Sequence, residues 1–250
     1  MDTKEDVIYL SSKVNELFAA TELTQYFTNE LKDSIELTIL FPIIEEISLS
    51  KFIISIDDTI ITSKVMPKEI AKEKYNDSIA SGDIGFYSDY QDDQQSYSVN
   101  IGNIKPNQKI KLNTIFIQTI GTQDMSYEFI IMEKYPSFYY KELNEDNQKN
   151  KIINANIEIE TQSKITRLIA PFLDKKAKNN STFEVQYNSD YKTAKIKYIK
   201  NPDNIKNINT TNIINDYSGK RNEPTFYSSF CILCRTEKMT NPILYCQYNP

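Results

Sequence analysis

Alternation of apolar and polar positions runs through most of this chain. From Leu23, residues Leu23, Gln25 and Phe27 fall on one side and Thr24 and Tyr26 on the other, the period of a half-buried strand. Val14 to Ala19 reads as its neighbouring strand. Ile35, Leu37, Ile39 and Phe41 share one face of the next run, which Pro42 ends because proline cannot donate to a ladder. Ile47 to Ile56 and Thr59 to Val65 form a hairpin across Asp57-Asp58. Tyr97 to Ile101 is another strand, followed by a turn at Gly102 to Asn107. Lys109 to Gly121 and Asp124 to Met132 form a second hairpin with its tip at Gly121 to Gln123, and Pro136 to Tyr140 is a bulky aromatic exit. Ile157 to Glu160 alternates again. Phe183 to Tyr187 and Ala194 to Tyr198 pair around Asp190-Tyr191-Lys192, and Phe226 to Leu233 and Ile243 to Tyr248 are closing strands.

One segment breaks the period of two. Ala71, Tyr75 and Ile79 recur every fourth residue with Ile70 beside them, while Lys68, Glu69, Lys72, Glu73 and Asp77 cover the rest. Pro67 suits a first helical position and Ser81-Gly82 a stop. The pattern predicts a single helix over residues 67–81, packed on a sheet by one face and wet on the other. The segment from Asp83 to the strand at Tyr97 reads as a polar loop. The fold class is mainly β, an antiparallel β-sandwich with one inserted helix. Leu143 to Lys151 has no apolar residue after its first and marks a boundary, dividing the chain into a domain at 1–142 and a second β-rich region at 143–250. Residues 201–224 are Asn-rich and poor in large apolar groups, as in a mobile surface loop.

Charge narrows the function. A net charge of −5 over 250 residues, with lysines interleaved among acids, opposes both nucleic-acid binding and an anionic membrane surface. No run approaches the roughly 20 apolar residues of a membrane span, and Val7 to Leu10 is too short for a secretory signal. Three cysteines make no disulfide framework, so a cytoplasmic protein with reduced thiols is expected. The sequons at Asn76, Asn179, Asn180 and Asn209 then follow from the Asn-rich composition. With no histidine there is no Ser-His-Asp or Cys-His chemistry and no His-ligated metal, and five glycines build no phosphate loop.

Cys231-Ile-Leu-Cys234 has C-x-x-C spacing, but it lies inside a strand pattern that sends the two side chains to opposite faces. Inward or half-buried strand cysteines are the simpler reading; a thiol redox protein using Cys231 and Cys234 is the alternative. Zinc would want four ligands, and Cys246 supplies only a third. Asp57-Asp58 and Asp89, Asp92 and Asp93 lack the spacing of a calcium loop and read as solvated turns. No carboxylate pair sits on one element. The expectation is no enzyme, no cofactor and no metal. Tyrosines at 87, 90, 97, 135, 139 and 140 gather around the helix and the exit of the first half, and exposed tyrosine is favoured in protein contacts. Lys68, Lys72 and Glu73 on the outward helix face, with Tyr87, Tyr90 and Tyr97, form the candidate partner surface.

Six pieces in order carry a family resemblance: Tyr26-Phe27-Thr28-Asn29; Ile35-Glu36 leading to Leu40-Phe41-Pro42; Lys51-Phe52-Ile53; Lys68 to Tyr75; Gly82; and Tyr97 to Pro106. Together the first 140 residues resemble a VIT (vault protein inter-alpha-trypsin) domain. Such domains occur in inter-alpha-trypsin inhibitor heavy chains, vault poly(ADP-ribose) polymerase and many von Willebrand factor A-containing proteins. The later residues resemble, more loosely, the β-rich segment that follows the domain in such proteins. The resemblance implies no catalytic residues. It implies a non-enzymatic protein–protein interaction or scaffold module that binds protein partners. The alternative is the N-terminal accessory part of a larger VIT/von Willebrand factor A protein, adhesion-like or ADP-ribosyl transferase-associated. A downstream A domain would carry a D-x-S-x-S metal site, and this sequence has no D-x-S-x-S.

Overall fold

In a computed structural model, residues 7–42, 47–57, 59–91, 96–132, 137–139, 152–170, 181–201 and 229–239 are described. The expected boundary at 143–151, the loop at 202–224, the strand Ile243 to Tyr248, and Asp58, Asp92, Asp93, Tyr135, Tyr140 and Cys246 lie outside them.

The chain opens with β1 (Val7–Val14) and β2 (Phe18–Thr28), which pair antiparallel through a three-residue turn. Asn15 makes that turn: its Oδ1 accepts the N–H groups of Leu17 and Phe18, each at 2.8 Å. The strand expected at Val14 to Ala19 is thus a turn flanked by two longer strands, because the Asn15 side chain offers the backbone local partners. The short apolar run at Val7 to Leu10 belongs to β1.

β3 (Ile35–Pro42), β4 (Ile47–Ile56) and β5 (Thr59–Thr62) follow the predicted pattern, with β4 and β5 a hairpin across Asp57, whose φ is 51°. α1 (Lys68–Ala80) is the helix. β6 (Gly85–Gln91), read as polar loop, pairs along its whole length with β7 (Ser96–Ile104). Its alternation was hidden because both of its faces carry polar groups.

β8 (Lys109–Thr119) does not form a hairpin with the residues after it. It lies between β2 and β4, and the chain changes sheet at Ile120. The turn at Asp124-Met125 instead joins β9 (Gly121–Gln123) to β10 (Ser126–Met132). Alternation continues across Ile120, so no break in pattern marks the crossing. β11 (Ser137–Tyr139) takes up the aromatic exit and pairs with β3.

Beyond it come β12 (Ile152–Glu160), β13 (Ile165–Ile169), β14 (Ser181–Tyr187), β15 (Thr193–Lys200) and β16 (Ser229–Thr236). The expected hairpin of Phe183 to Tyr187 with Ala194 to Tyr198 is β14 and β15.

The strands make an eight-stranded sheet ordered β14-β15-β12-β1-β2-β8-β4-β5 and two four-stranded sheets, β13-β16-β10-β9 and β11-β3-β7-β6. Among the described residues pairing is antiparallel except where β1 lies parallel to β12. The large sheet packs face to face on the β3–β7 sheet: the Phe41 ring of β3 meets Phe52 of β4 at 4.7 Å and Phe116 of β8 at 6.1 Å between centroids. Leu23, Leu37, Ile39, Ile54, Ile101 and Leu112 are fully buried there, and Ile157, Ile196, Phe129 and Ile232 continue the same cluster into the second half of the chain. The fold is mainly β with one helix, antiparallel-dominated and sandwich-like.

Candidate functional site

No residue of α1 is buried, yet the helix is held at several points. Ala71, Tyr75 and Ile79 are its half-buried residues on the sheet side, as their spacing predicts. Ile70, expected with them, is 45% exposed; one residue before Ala71 it is turned about 100° off the packing line.

The helix stands on two glycines that are cross-strand partners, Gly85 of β6 and Gly102 of β7. A Cβ on Gly102 would sit 2.2 Å from Ile79 Cδ1 and 2.9 Å from the Tyr75 hydroxyl, and one on Gly85 would sit 2.9 Å from Tyr75 Cδ2. Strand glycines here serve close approach by another element. Asn103, at φ 59°, donates from Nδ2 to the carbonyls of Ile79 (3.0 Å) and Asp83 (2.8 Å), tying down the C-terminal end that Gly82 (φ 77°) closes.

A polar chain crosses beneath the helix. The Tyr75 hydroxyl donates to Glu36 of β3, and the Tyr75 and Tyr87 rings lie 6.0 Å apart. Burial first, then the Glu36 hydrogen bond, raises the Tyr75 phenol above its ordinary value. Tyr87 and Lys68 both bond Asp89, the Lys68 ammonium at 2.5 Å. Burial alone would raise the Asp89 carboxyl; the bonds from Lys68 and Tyr87 outweigh it and hold the carboxyl below the usual range. Asp89, weighed above only as a cation ligand, is a tether for the helix N-terminus.

The six candidate surface residues do not form one patch. Lys68 and Tyr87 meet through Asp89 on the helix side. Lys72 and Glu73 are exposed on the outward helix face. Tyr90 and Tyr97 are cross-strand partners with rings 5.6 Å apart. They lie on the other side of the β6–β7 sheet, the side on which Phe86 reaches Phe52 at 6.2 Å. Because β6 is a strand, the odd spacing from Tyr87 to Tyr90 separates them. Glu36, Gly85, Gly102 and Asn103 position the helix and were not picked out for that role, while Tyr75 was read only as part of the packing line; Gly85 fell in text read as loop and Gly102 in text read as a turn.

Residues 8–116 match the family model described as Vault protein inter-alpha-trypsin domain. This stretch is similar to a VIT domain. A von Willebrand factor A domain-containing protein of Dictyostelium discoideum is 26% identical over 178 residues, 69% of this chain and 18% of that protein. Protein mono-ADP-ribosyltransferase PARP4 of Mus musculus is 25% identical over 153 residues, 61% of this chain and 7% of that protein. The chain therefore spans less than a fifth of the length of these curated relatives. Among solved structures, the collagen-binding domain from a Staphylococcus aureus adhesin is similar over 58% of this chain and 91% of that chain, at 10% identity and a TM-score of 0.34.

The cysteine pair lies beyond the VIT match, in β16. Cys231 is half-buried and Cys234 buried, three positions apart on a strand, as their spacing predicts. Burial, then the nearby Glu128, pushes the Cys231 thiol up to about 11; burial, then Glu16, pushes Cys234 up to about 12. Thiolate is the reactive form, so both should resist alkylation at neutral pH in the folded chain and react fast after denaturation. An alkylation time course read by peptide mapping, which separates these two thiols from Cys246, checks this; fast labelling of Cys231 or Cys234 in the native protein at pH 7 would contradict it. The folded state also holds these protons more tightly than an unfolded chain with thiols near 9.0. Their contribution to stability is complete below about pH 9 and is lost as pH rises through about 11 and 12. Among the described residues no group of three His, Cys, Asp or Glu is placed to hold a metal, and no helix is long and apolar enough to cross a membrane.

Proposed function

We propose that this VIT-like chain is a non-enzymatic docking module for protein partners, with the outward ridge of α1 as the contact face. The observation that carries the proposal is the seating of the helix. Gly85, Gly102, Asn103 and the Lys68–Asp89 pair hold it in place while all its remaining charged residues point outward. Rigid presentation lowers the ordering cost of binding, and mixed charges give specificity and steering more than raw affinity. Lys72 and Glu73 lie at the centre of the ridge. The net charge of −5 argues against nucleic acid as the partner, and free strand cysteines suit a reducing, cytoplasmic setting.

The test is the paired reversal Lys72→Glu with Glu73→Lys, which keeps net charge. Partners recovered by quantitative crosslinking from cell extract should be lost, while thermal stability stays within about 0.5 kcal/mol because both residues are exposed surface positions. Full retention of the same partners would sink the reading.

The second reading is that the partner is a neighbouring domain of the same polypeptide. It is favoured by the von Willebrand factor A and PARP4 relatives, of which this chain matches 18% and 7%. Sequencing the transcript past the Pro250 codon decides it: a stop codon with no open frame beyond would exclude this reading.

A further inference from the structure

We infer that the outer edge of β14 is a self-pairing interface through which two copies of this chain join their eight-stranded sheets. The inference is independent of the α1 docking face. β14 terminates its sheet, and among the described residues no strand pairs with its free edge. The strand is seven residues long and pairs with β15 without a register shift. Its sequence, Ser181-Thr-Phe-Glu-Val-Gln-Tyr187, contains no proline, no lysine and one charge. Natural edges are usually blunted by such features, and an edge without them is a template for another strand.

The backbone phase shows what that edge offers. Asn188 N–H donates to the carbonyl of Thr193, directly opposite it, at 3.0 Å. With the regular register that follows, the even residues Thr182, Glu184 and Gln186 turn their peptide groups toward β15. The odd residues Ser181, Phe183, Val185 and Tyr187 turn theirs outward. Among the described residues these four N–H and four C=O groups form an unpaired ladder, three of each lying symmetrically about Val185.

An antiparallel two-fold pairing about Val185 satisfies those of Phe183, Val185 and Tyr187, and it avoids the like-charge contact of Glu184 with Glu184 that a pairing about Glu184 would impose. It sets Val185 against Val185 of the partner subunit and Phe183 against Tyr187 of the partner subunit, each as a hydrogen-bonded pair. The side chains agree with this register. Phe183 and Val185 are half-buried at the open margin of the core and Tyr187 is 41% exposed, so an added strand would cover a continuous apolar row. On the other face, exposed Glu184 would meet the partner's Gln186, so no like charges are opposed. The contact is self-complementary, as a closed two-fold interface requires.

Sedimentation velocity of the full chain over a wide concentration range tests this, with three variants. The parent chain should show a monomer–dimer equilibrium. Gln186→Glu adds a carboxylate beside its own Lys195 in monomer and dimer alike, but faces the partner's Glu184 only in the dimer. It should weaken dimerisation roughly three- to ten-fold, since two symmetric pairs are affected. Gln186→Lys should tighten it by a similar factor, and both shifts should shrink at high salt. Val185→Pro removes one outward N–H and no ladder bond to β15. It should abolish the dimer, and the Gln186 pair carries the test if that variant fails to fold. A parent chain monomeric up to near-millimolar concentration, a dimer indifferent to both Gln186 changes, or open-ended species larger than a dimer would each overturn the proposal.

Discussion

A chain ending at residue 142 is expected to lose its cooperative thermal transition and to aggregate. That cut falls at the polar boundary after the aromatic exit, where the sequence suggests a domain end. β1 lies between β2 and β12, with eight registered positions against β12 from Val7↔Ile152 to Val14↔Ile159. Cutting at 142 removes β12 and, with it, β15 and β14. Ile8, Leu10 and Val14 then line a sheet margin, and Phe129 loses the strand that carries Ile232. Each core side chain returned to water costs about 1.5–3 kcal/mol. A handful of them rivals the whole stability of a typical domain, about 5–15 kcal/mol. β1 would also become an open, apolar edge. Circular dichroism melts of the 1–142 and full-length chains check this. A sharp transition in the short chain within a few degrees of the parent would refute it, and would establish 1–142 as a domain that folds alone.

Gly102→Ala is the second large effect. The new methyl would meet Ile79 Cδ1 at 2.2 Å and the Tyr75 hydroxyl at 2.9 Å. Ile79 Cδ1 can swing away, but the Tyr75 ring is rigid and its hydroxyl is bonded to Glu36. The helix must lift from β6 and β7 or the sheet must bend, at the roughly 1–3 kcal/mol typical of overpacking. Because α1 buries no residue of its own, the cost should appear as local opening. Amides of α1 should lose protection in hydrogen exchange while those of β2 and β8 keep theirs. Gly82→Ala provides the contrast: no atom lies within 4 Å of its added methyl, so only its φ of 77° opposes the change. Equal protection of α1 in the parent and Gly102→Ala would show that the glycine floor does not seat the helix. If α1 docks a partner, Gly102→Ala should also weaken that binding without touching a contact residue.

Much of the architecture could be read directly from local pattern. Strict alternation at Ile35 to Phe41 and at Phe183 to Tyr187 identified strands, because one buried face imposes a period of two. The Ala71, Tyr75, Ile79 spacing identified the helix and its packing line. Where a side chain replaced that pattern with local bonding, as Asn15 does, the reading placed a strand across a turn. Where both faces of a strand carry polar groups, as in β6 under the helix, it was taken for a loop. The candidate site was legible in its outward half only. Lys72 and Glu73 follow from helical period, whereas the clamp of Glu36, Gly85, Asp89, Gly102 and Asn103 draws on three strands separated by up to 67 positions from the earliest, Glu36, to the latest, Asn103.

The opening alternation and the single helical stretch thus specify secondary structure, the inward face of each strand and the mainly β class, since all of these depend on a residue and its close neighbours. Sheet membership depends on pairings between distant segments. The parallel seam of β1 with β12, the sheet change at Ile120, the Gly85–Gly102 floor and the split of Tyr87 from Tyr90 and Tyr97 arise only when such segments compete for the same edges and the same core. No local pattern encodes that competition, because each strand presents the same backbone ladder to every other.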